Sequence, residues 1–121
     1  MAKILLVEDD KFISSVVSRM LTDGGHSVVH AVDGLDSVAK TLSDRPDLII
    51  MDLGLPSMNG WDATKTLKSD PKTSEIPILA LTANMTAEDR EDAYNAGCDA
   101  FLTKPAAADV LLGRIAELLK G

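Results

Sequence analysis

The chain has 121 residues and a formal net charge of −7, and apolar residues make up 45% of it. This length suits one domain with a single hydrophobic core, and the apolar fraction excludes a disordered chain. The negative charge argues against nucleic acid or an anionic membrane surface as the main partner, and it favours a metal cation or a basic protein surface.

The first part of the chain alternates between apolar runs and amphipathic stretches. Lys3–Val7 is typical of a strand. The apolar residues after it have the spacing of a helix: Ile13, Val16, Val17, Met20 and Leu21. Gly24–Gly25 ends this helix, and Ser27–Val32 follows as a strand near the edge of a sheet. A second helix begins after Asp33–Gly34, ends before Pro46 and carries four apolar residues: Leu35, Val38, Ala39 and Leu42.

A buried central strand is predicted at Leu48–Met51, an apolar run that stops at a single carboxylate, Asp52. Gly54, Pro56 and Gly60 mark the loop that follows. Because ligands of open α/β sheets bind at the carboxyl ends of strands, Asp52 is a candidate site residue.

The second part of the chain continues the alternation. Trp61–Ser69 is predicted as a helix and Ile76–Leu81 as a strand. Thr86–Asp89 resembles a capping box that opens a fourth helix, whose weak apolar side predicts loose packing. Asp99–Thr103 is the fifth strand. The last helix has a predicted buried side made of four residues: Leu111, Ile115, Leu118 and Leu119.

Five repeats of strand and helix predict a parallel sheet covered by helices on both faces. The carboxyl ends of its strands would bring together acidic, hydroxyl and amino groups: Glu8, Asp9, Asp10, Asp52, Thr82 and Lys104. A simpler interpretation stays open for two of them, because Asp is a favoured N-cap and Asp9 or Asp10 can instead cap the first helix.

The order of these residues, together with Lys104–Pro105 and the spacing of Asp52, Pro56 and Gly60, closely resembles the receiver domain of two-component response regulators. The resemblance covers essentially the whole chain, and the single-domain chemotaxis regulator is the minimal form of this family. It implies a flavodoxin-like (βα)5 fold, with a doubly wound parallel sheet of strand order 2-1-3-4-5. It also implies one receiver domain over residues 1–121 without an output domain.

The resemblance assigns roles to individual residues. Asp52 would accept a phosphoryl group from a phosphohistidine. Mg²⁺ would be held by three carboxylates and one main-chain carbonyl, those of Asp9, Asp10, Asp52 and Gly54. Thr82 and Lys104 would bind the phosphoryl oxygens, and Thr82 and Phe101 would form the switch. The Lys104–Pro105 peptide bond would be cis and would aim the lysine into the pocket.

Phosphoryl transfer requires positioning and neutralisation of charge on the phosphoryl oxygens, which a magnesium ion and a lysine supply. The predicted function is therefore a signalling switch that catalyses its own phosphorylation and dephosphorylation, and not an enzyme with a product cycle. Its partners would be a sensor histidine kinase or histidine phosphotransfer protein and a downstream protein target. No direct nucleic-acid contact is expected, and the chain would be a monomer or weak dimer.

The other sequence features fit this setting. A single cysteine, Cys98, excludes an internal disulfide and stands where a small buried residue would serve. No apolar run approaches membrane-spanning length, and the N-terminus lacks the pattern of a signal peptide, so a cytoplasmic location is predicted. His26 and His30 lack the spacing of metal ligands and are expected to be surface residues.

Other functions stay open from the sequence. The chain resembles an intermediate shuttle of a phosphorelay as well as a terminal switch. An aspartyl-phosphate phosphohydrolase also uses a strand-end Asp, although such enzymes typically show Asp-x-Asp after the first strand. A degenerate receiver with a structural role is disfavoured by the complete set of polar residues. A nucleotide- or flavin-binding module is disfavoured because no Gly-rich loop follows the first strand.

Overall fold

A computed structural model describes residues 2–52, 60–82, 87–104 and 106–120. In these ranges strands and helices alternate along the chain. The strands are β1 (Lys3–Val7), β2 (Ser27–Ala31), β3 (Leu48–Met51), β4 (Ile78–Thr82) and β5 (Ala100–Thr103). The helices are α1 (Lys11–Asp23), α2 (Gly34–Asp44), α3 (Gly60–Ser69), α4 (Ala87–Ala96) and α5 (Ala108–Leu119). None of the helices in these ranges is long and apolar enough to cross a lipid bilayer.

The strands form one parallel sheet in the order β2-β1-β3-β4-β5. This order confirms the predicted fold class and places β1 beside β3 inside the sheet, with Val7 opposite Met51. The apolar runs of the sequence suit these positions because parallel strands covered on both faces bury all their side chains. Since the strands are parallel, the residues that follow them meet at one edge of the sheet.

Alternate residues of the strands build two apolar layers. On one face, Ile49 belongs to a layer that includes Leu67 of α3. On the other face, Ile50 belongs to a layer that includes Leu21 of α1 and Leu111 of α5. Each of these side chains is no more than 1% exposed. Because full burial of a side chain of this size contributes about 1.5–3 kcal/mol, the two layers hold the sheet and its helices together.

Helix α2 turns small polar residues toward the core. Ser37 and Thr41 are fully buried. Their hydroxyls donate to carbonyl oxygens one turn earlier, from Ser37 Oγ to Gly34 O at 2.6 Å and from Thr41 Oγ1 to Ser37 O at 2.7 Å. Because these hydrogen bonds stay inside the helix, both hydroxyls are satisfied although they are buried.

The apolar residues that predicted α2 mostly face outward. Leu35 is 58% exposed and Leu42 is 43% exposed, and Ala39 is also exposed. Val38 packs against the core. The sequence pattern therefore located the helix correctly but did not show the side on which it packs.

Strand β2 forms an edge of the sheet, as predicted, and α2 side chains bond to outer backbone groups of β2 and of Val32, the residue after it. Lys40 Nζ donates to the carbonyl oxygen of His30 at 2.6 Å, and the Val32 N–H donates to Asp36 Oδ2 at 3.2 Å. Asp36 and Lys40 also form an ion pair at 3.3 Å. The helix thus covers polar groups that an edge strand would otherwise present to solvent.

Candidate functional site

Two carboxylates lie side by side just beyond β1 and β3. Val7 and Met51 are partners in the ladder, so the residues after them, Glu8 and Asp52, occupy neighbouring positions at the edge of the sheet. The Asp52 N–H donates to the Val7 carbonyl oxygen at 3.0 Å. Glu8 is 2% exposed and Asp52 is 8% exposed, so both acidic residues are buried.

Lys104 follows β5 and reaches both carboxylates. Its Nζ lies 2.5 Å from Glu8 Oε1 and 3.3 Å from Asp52 Oδ2. The Lys104 side chain is 15% exposed, so these ion pairs lie where charges interact more strongly than in bulk water. The structure therefore brings Asp52 and Lys104 together, and we call the space around Glu8, Asp52 and Lys104 the acidic recess.

A third carboxylate completes a group that fits a metal ion. Glu8, Asp9 and Asp52 each offer one oxygen, and these atoms lie within 4.8 Å of one another. Mg²⁺ takes carboxylate oxygens and water in octahedral geometry, so an all-oxygen set of this kind suits it. Softer metals prefer nitrogen or sulfur ligands, which this group does not include.

Asp10 serves the helix and not this group. Its Oδ1 accepts hydrogen bonds from the backbone N–H of Phe12 at 2.9 Å and of Ile13 at 3.1 Å, which makes Asp10 the N-cap of α1. The capping interpretation is thus confirmed for Asp10, and the carboxylates that the structure groups with Asp52 are those of Glu8 and Asp9, where the sequence predicted Asp9 and Asp10. Asp10 directly precedes α1, so its carboxylate accepts from the free N–H groups at the start of the helix. Glu8 directly follows β1, so it lies at the edge of the sheet beside Asp52.

The acidic recess disfavours the ionised form of the Glu8 carboxyl group. Burial raises the pKa of Glu8 to about 6, against the hydrogen bond from Lys104, and the neighbouring Asp52 adds to the increase. Burial alone would lower the pKa of Lys104, but the Glu8 hydrogen bond and the Asp52 charge outweigh it and raise this pKa above its ordinary value. Since one ammonium offsets only part of the negative charge, the recess favours a bound cation.

The remaining predicted residues are located in part. Thr82 ends β4 opposite Thr103 of β5, which puts its backbone at the edge that carries the acidic recess. Gly54 and Pro105 lie outside the described residues. The main-chain carbonyl ligand and the cis peptide bond therefore stay predictions.

Phe101 contacts a second aromatic ring, on a helix. The rings of Phe101 and Tyr94 meet edge to face, with centroids 5.3 Å apart and an angle of 74° between their planes. Tyr94 lies on α4 and is 52% exposed, while Phe101 lies on β5 and is partly buried. Such a pair adds about 0.5–1.5 kcal/mol beyond the burial of its area, so it links α4 to β5.

Both histidines are hydrogen-bonded and partly buried, which corrects the prediction that they are surface residues. His26 Nδ1 accepts from the Ala2 N–H at 3.2 Å. His30 Nε2 lies 2.7 Å from the main-chain carbonyl oxygen of Glu8. The sequence gives no signal for these contacts because the partners are 24 and 22 residues apart.

An apolar groove adjoins the acidic recess. It encloses a cavity of about 280 Å³ between α1 and α5, and Phe12, Val16, Leu81, Leu111 and Lys104 are among its lining residues. Phe12 is 76% exposed and Val16 is 38% exposed. Clustered exposed apolar side chains mark surfaces that contact other molecules. We call this feature the α1–α5 groove, and it shares Lys104 with the recess.

Comparison with known sequences identifies the family. The response regulator receiver domain family matches residues 4–116, and the chain belongs to this family. It is 38% identical over 120 residues to the DNA-binding dual master transcriptional regulator RpaA of Synechocystis sp., in a match that covers 99% of this chain and 50% of RpaA. It is 36% identical over 121 residues to Protein PilH of Pseudomonas aeruginosa, in a match that covers 100% of both chains.

A solved structure extends the likeness to three dimensions. The receiver domain of the sensor histidine kinase PA1611 from Pseudomonas aeruginosa has a magnesium ion coordinated in its active site cleft. It matches this chain with a TM-score of 0.93 and 33% identity, over 99% of this chain and 98% of that one. The chain spans about half the length of RpaA. Fold, site and family together define a receiver domain of a two-component system, which is a class of signalling switches.

Proposed function

We propose that this receiver domain is phosphorylated on Asp52 by a phosphohistidine of a sensor histidine kinase or a histidine phosphotransfer protein. The observation that carries the proposal is the burial of Asp52 at the end of β3, beside Glu8 and the ammonium of Lys104. One Asp52 oxygen attacks the phosphorus, and the phosphorus–nitrogen bond breaks. The donor imidazole leaves after taking up a proton from solvent.

The neighbours of Asp52 balance the charges of this transfer. Asp9 and Asp52, with Glu8 in the place predicted for Asp10, would hold Mg²⁺. When bound, the ion neutralises charge on the carboxylates and on the phosphoryl oxygens, so that an anionic nucleophile can meet an anionic donor. Lys104, whose Nζ is 3.3 Å from Asp52 Oδ2, is close enough to bind a phosphoryl oxygen on Asp52.

Three further roles rest on the family resemblance. The main-chain carbonyl of Gly54 would be a further metal ligand, and the Thr82 hydroxyl would donate to the phosphoryl group. Thr82 and Phe101 would change position together as the switch. A downstream protein would then bind the surface formed by α4, β5 and α5, in the cytoplasm.

The α1–α5 groove is the proposed contact for the phosphate donor. A donor imidazole has to approach an Asp52 oxygen, so the donor protein must cover the surface around the acidic recess. Lys104 belongs to both features, and Phe12 lies at the start of α1 with 76% of its surface exposed. A donor helix that carries the histidine would place its apolar side chains in this groove.

Intact mass spectrometry after incubation with phosphoramidate and Mg²⁺ tests the acceptor. Wild-type protein is expected to gain one phosphoryl group, and Asp52→Asn is expected to gain none because the amide is a poor nucleophile. Asp23→Asn is a matched control, since Asp23 is an exposed residue of α1 that pairs with Arg19. Labelling of Asp52→Asn to the wild-type extent would contradict the assignment.

A second experiment separates docking from chemistry. Phe12→Ser removes an exposed apolar side chain of the groove and leaves the carboxylates unchanged. It is expected to slow transfer from a phosphorylated histidine phosphotransfer protein at least tenfold, in the range seen for residues at the centre of interfaces. Labelling by phosphoramidate should keep the wild-type rate. An equal effect on both donors would show that Phe12 acts on the site and not on docking.

A further inference from the structure

His30 reaches from the edge strand to the backbone of the acidic recess. Its Nε2 lies 2.7 Å from the carbonyl oxygen of Glu8. Since a carbonyl oxygen only accepts hydrogen bonds, Nε2 carries the proton and donates. The main chain of His30 is itself held by Lys40, whose Nζ donates to the His30 carbonyl oxygen at 2.6 Å. The donor therefore comes from a strand that α2 keeps in place.

The oxygen that His30 binds belongs to the peptide group between Glu8 and Asp9. A peptide group is planar, so a hydrogen bond to its oxygen restrains the rotation of the whole plane. The orientation of that plane sets the directions in which the side chains of Glu8 and Asp9 leave the backbone. Both carboxylates belong to the group that fits a metal ion.

The contacts of Glu8 divide into two kinds. Its carboxylate is bound by Lys104 Nζ at 2.5 Å and by the Asp10 N–H at 3.2 Å. Its backbone is bound through its N–H to the Ala31 carbonyl oxygen at 3.0 Å, and through its carbonyl to His30. The backbone contacts do not involve the carboxylate oxygens, so they can orient Glu8 without competing with a cation.

We propose that His30 is a positioning residue that orients the Glu8–Asp9 peptide group, and through it the carboxylates that bind the divalent cation. The identity of the cation rests on the proposed function, whereas the orientation of the peptide group does not. A merely structural role would need a ring of similar size at this position. The positioning role needs a donor where Nε2 lies.

Three variants separate these two roles. His30→Gln carries an N–H donor at the same ε position along the side chain, His30→Asn carries its donor one bond closer to the backbone, and His30→Phe keeps a ring without a donor. Affinity for Mg²⁺ is measured by nuclear magnetic resonance titration at fixed pH and ionic strength. It is expected to fall about tenfold in His30→Phe and His30→Asn, as for other supporting partners of metal ligands, and to stay near the wild-type value in His30→Gln.

A second readout uses the metal-free protein. Amide hydrogen exchange in EDTA reports on residues 8–10, which include the N–H of the Asp9 peptide group. Exchange there is expected to be faster in His30→Phe and His30→Asn than in wild type and His30→Gln. His26→Phe is the control, because His26 bonds to Ala2, the residue before β1, and not to the acidic recess. Urea unfolding checks that each variant is folded.

Two outcomes would overturn the proposal. The first is wild-type affinity and exchange in His30→Phe, and the second is an equal loss in His30→Gln and His30→Phe, which would assign the effect to the ring. If His30→Phe does not fold, the comparison of His30→Gln with His30→Asn replaces it. Equal Mg²⁺ affinity and equal exchange rates in these two variants would then overturn the proposal. Phosphorylation of Asp52→Asn would contradict the proposed function alone, since exchange in EDTA needs neither metal nor phosphoryl donor.

Discussion

At the residue scale, three consecutive acidic residues after β1 differ in what they contact. Glu8 is buried and pairs with Lys104, whereas Asp9 is exposed and Asp10 caps α1. Two positions along the chain thus separate Glu8 of the acidic recess from Asp10, which stabilises a helix. The two kinds of residue are expected to respond differently when their charge is removed.

Glu8→Gln and Asp10→Asn make a matched pair of charge-neutralising variants. Glu8→Gln is expected to raise the melting temperature of the metal-free protein, because it removes repulsion from Asp52, and to shrink the stabilisation by Mg²⁺. A cation at ten times its Kd adds about 1.4 kcal/mol to the free energy of unfolding. Asp10→Asn should keep that increment, since Asn caps helices as well as Asp does.

Thermal melts in EDTA and in millimolar Mg²⁺, at fixed ionic strength, measure both effects. The reverse result, in which Asp10→Asn loses the Mg²⁺ increment and Glu8→Gln keeps it, would restore the pair of ligands predicted from the sequence. It would also mean that the cap contacts of Asp10 to Phe12 and Ile13 give way when the cation binds.

At the scale of elements, α2 buries the side that carries Ser37 and Thr41 and exposes the side that carries Leu35 and Leu42. Thr41→Leu enlarges a fully buried residue and is expected to lower the free energy of unfolding by about 1–3 kcal/mol through overpacking. Leu42→Thr, at a position that is 43% exposed, is expected to change it by about 0.5 kcal/mol or less. Urea unfolding of both variants measures which substitution lowers the free energy of unfolding more. The opposite ranking would mean that α2 buries its leucines.

The positions of the strands followed from the sequence because length and apolarity of a buried strand are local properties. Two strands start later than predicted, and two strands end one residue from the predicted position, β2 at Ala31 and β4 at Thr82. β4 begins at Ile78 and not at Ile76, since Pro77 between them has no N–H for a ladder. β5 begins at Ala100, one residue after Asp99, which bonds to Ile78 twice: the Asp99 N–H donates to the Ile78 carbonyl oxygen at 2.9 Å, and Asp99 Oδ2 accepts from the Ile78 N–H at 2.8 Å.

The site was predictable as a set of residue types but not as a set of contacts. Carboxyl ends of parallel strands meet in any such sheet, so the approach of Asp52 and Lys104 could be inferred. The choice of Glu8 over Asp10 depends on where the strand stops and the helix starts, to within one residue. The contact of His30 and the buried side of α2 depend on tertiary packing, which leaves no periodic signal.

At the scale of the whole molecule, α3 and α4 are attached in different ways. Lys68 of α3 donates to the carbonyl oxygens of Ser74 and Ile76 at 3.1 and 2.8 Å, and it pairs with Asp99 Oδ2 at 2.9 Å. These contacts fasten α3 to the segments before β4 and β5. For α4, the sequence shows little apolar side, and Tyr94 links it to Phe101. Segments with few buried contacts shift most easily, which favours α4 as the part that responds to phosphorylation.

Amide exchange with Mg²⁺ and beryllofluoride, a phosphoryl mimic, tests this response. Rates are expected to change by several-fold in α4, β5 and α5 and to stay nearly constant in α2, because the mimic shifts an equilibrium between two arrangements. Asp52→Asn under the same conditions is the control and should show no change. Changes confined to α1 and α2 would contradict a signalling surface formed by α4, β5 and α5.

The hydrogen bonds of Asp36 and Lys40 to the edge of the sheet also protect that edge from other copies of the domain. An edge strand with free N–H and C=O groups can template a strand from a second molecule, which is a route to aggregation. At His30 and Val32 those groups are already bonded to α2 side chains. A strand from a second molecule therefore has to displace the Asp36 and Lys40 side chains before it can extend the sheet at these two positions.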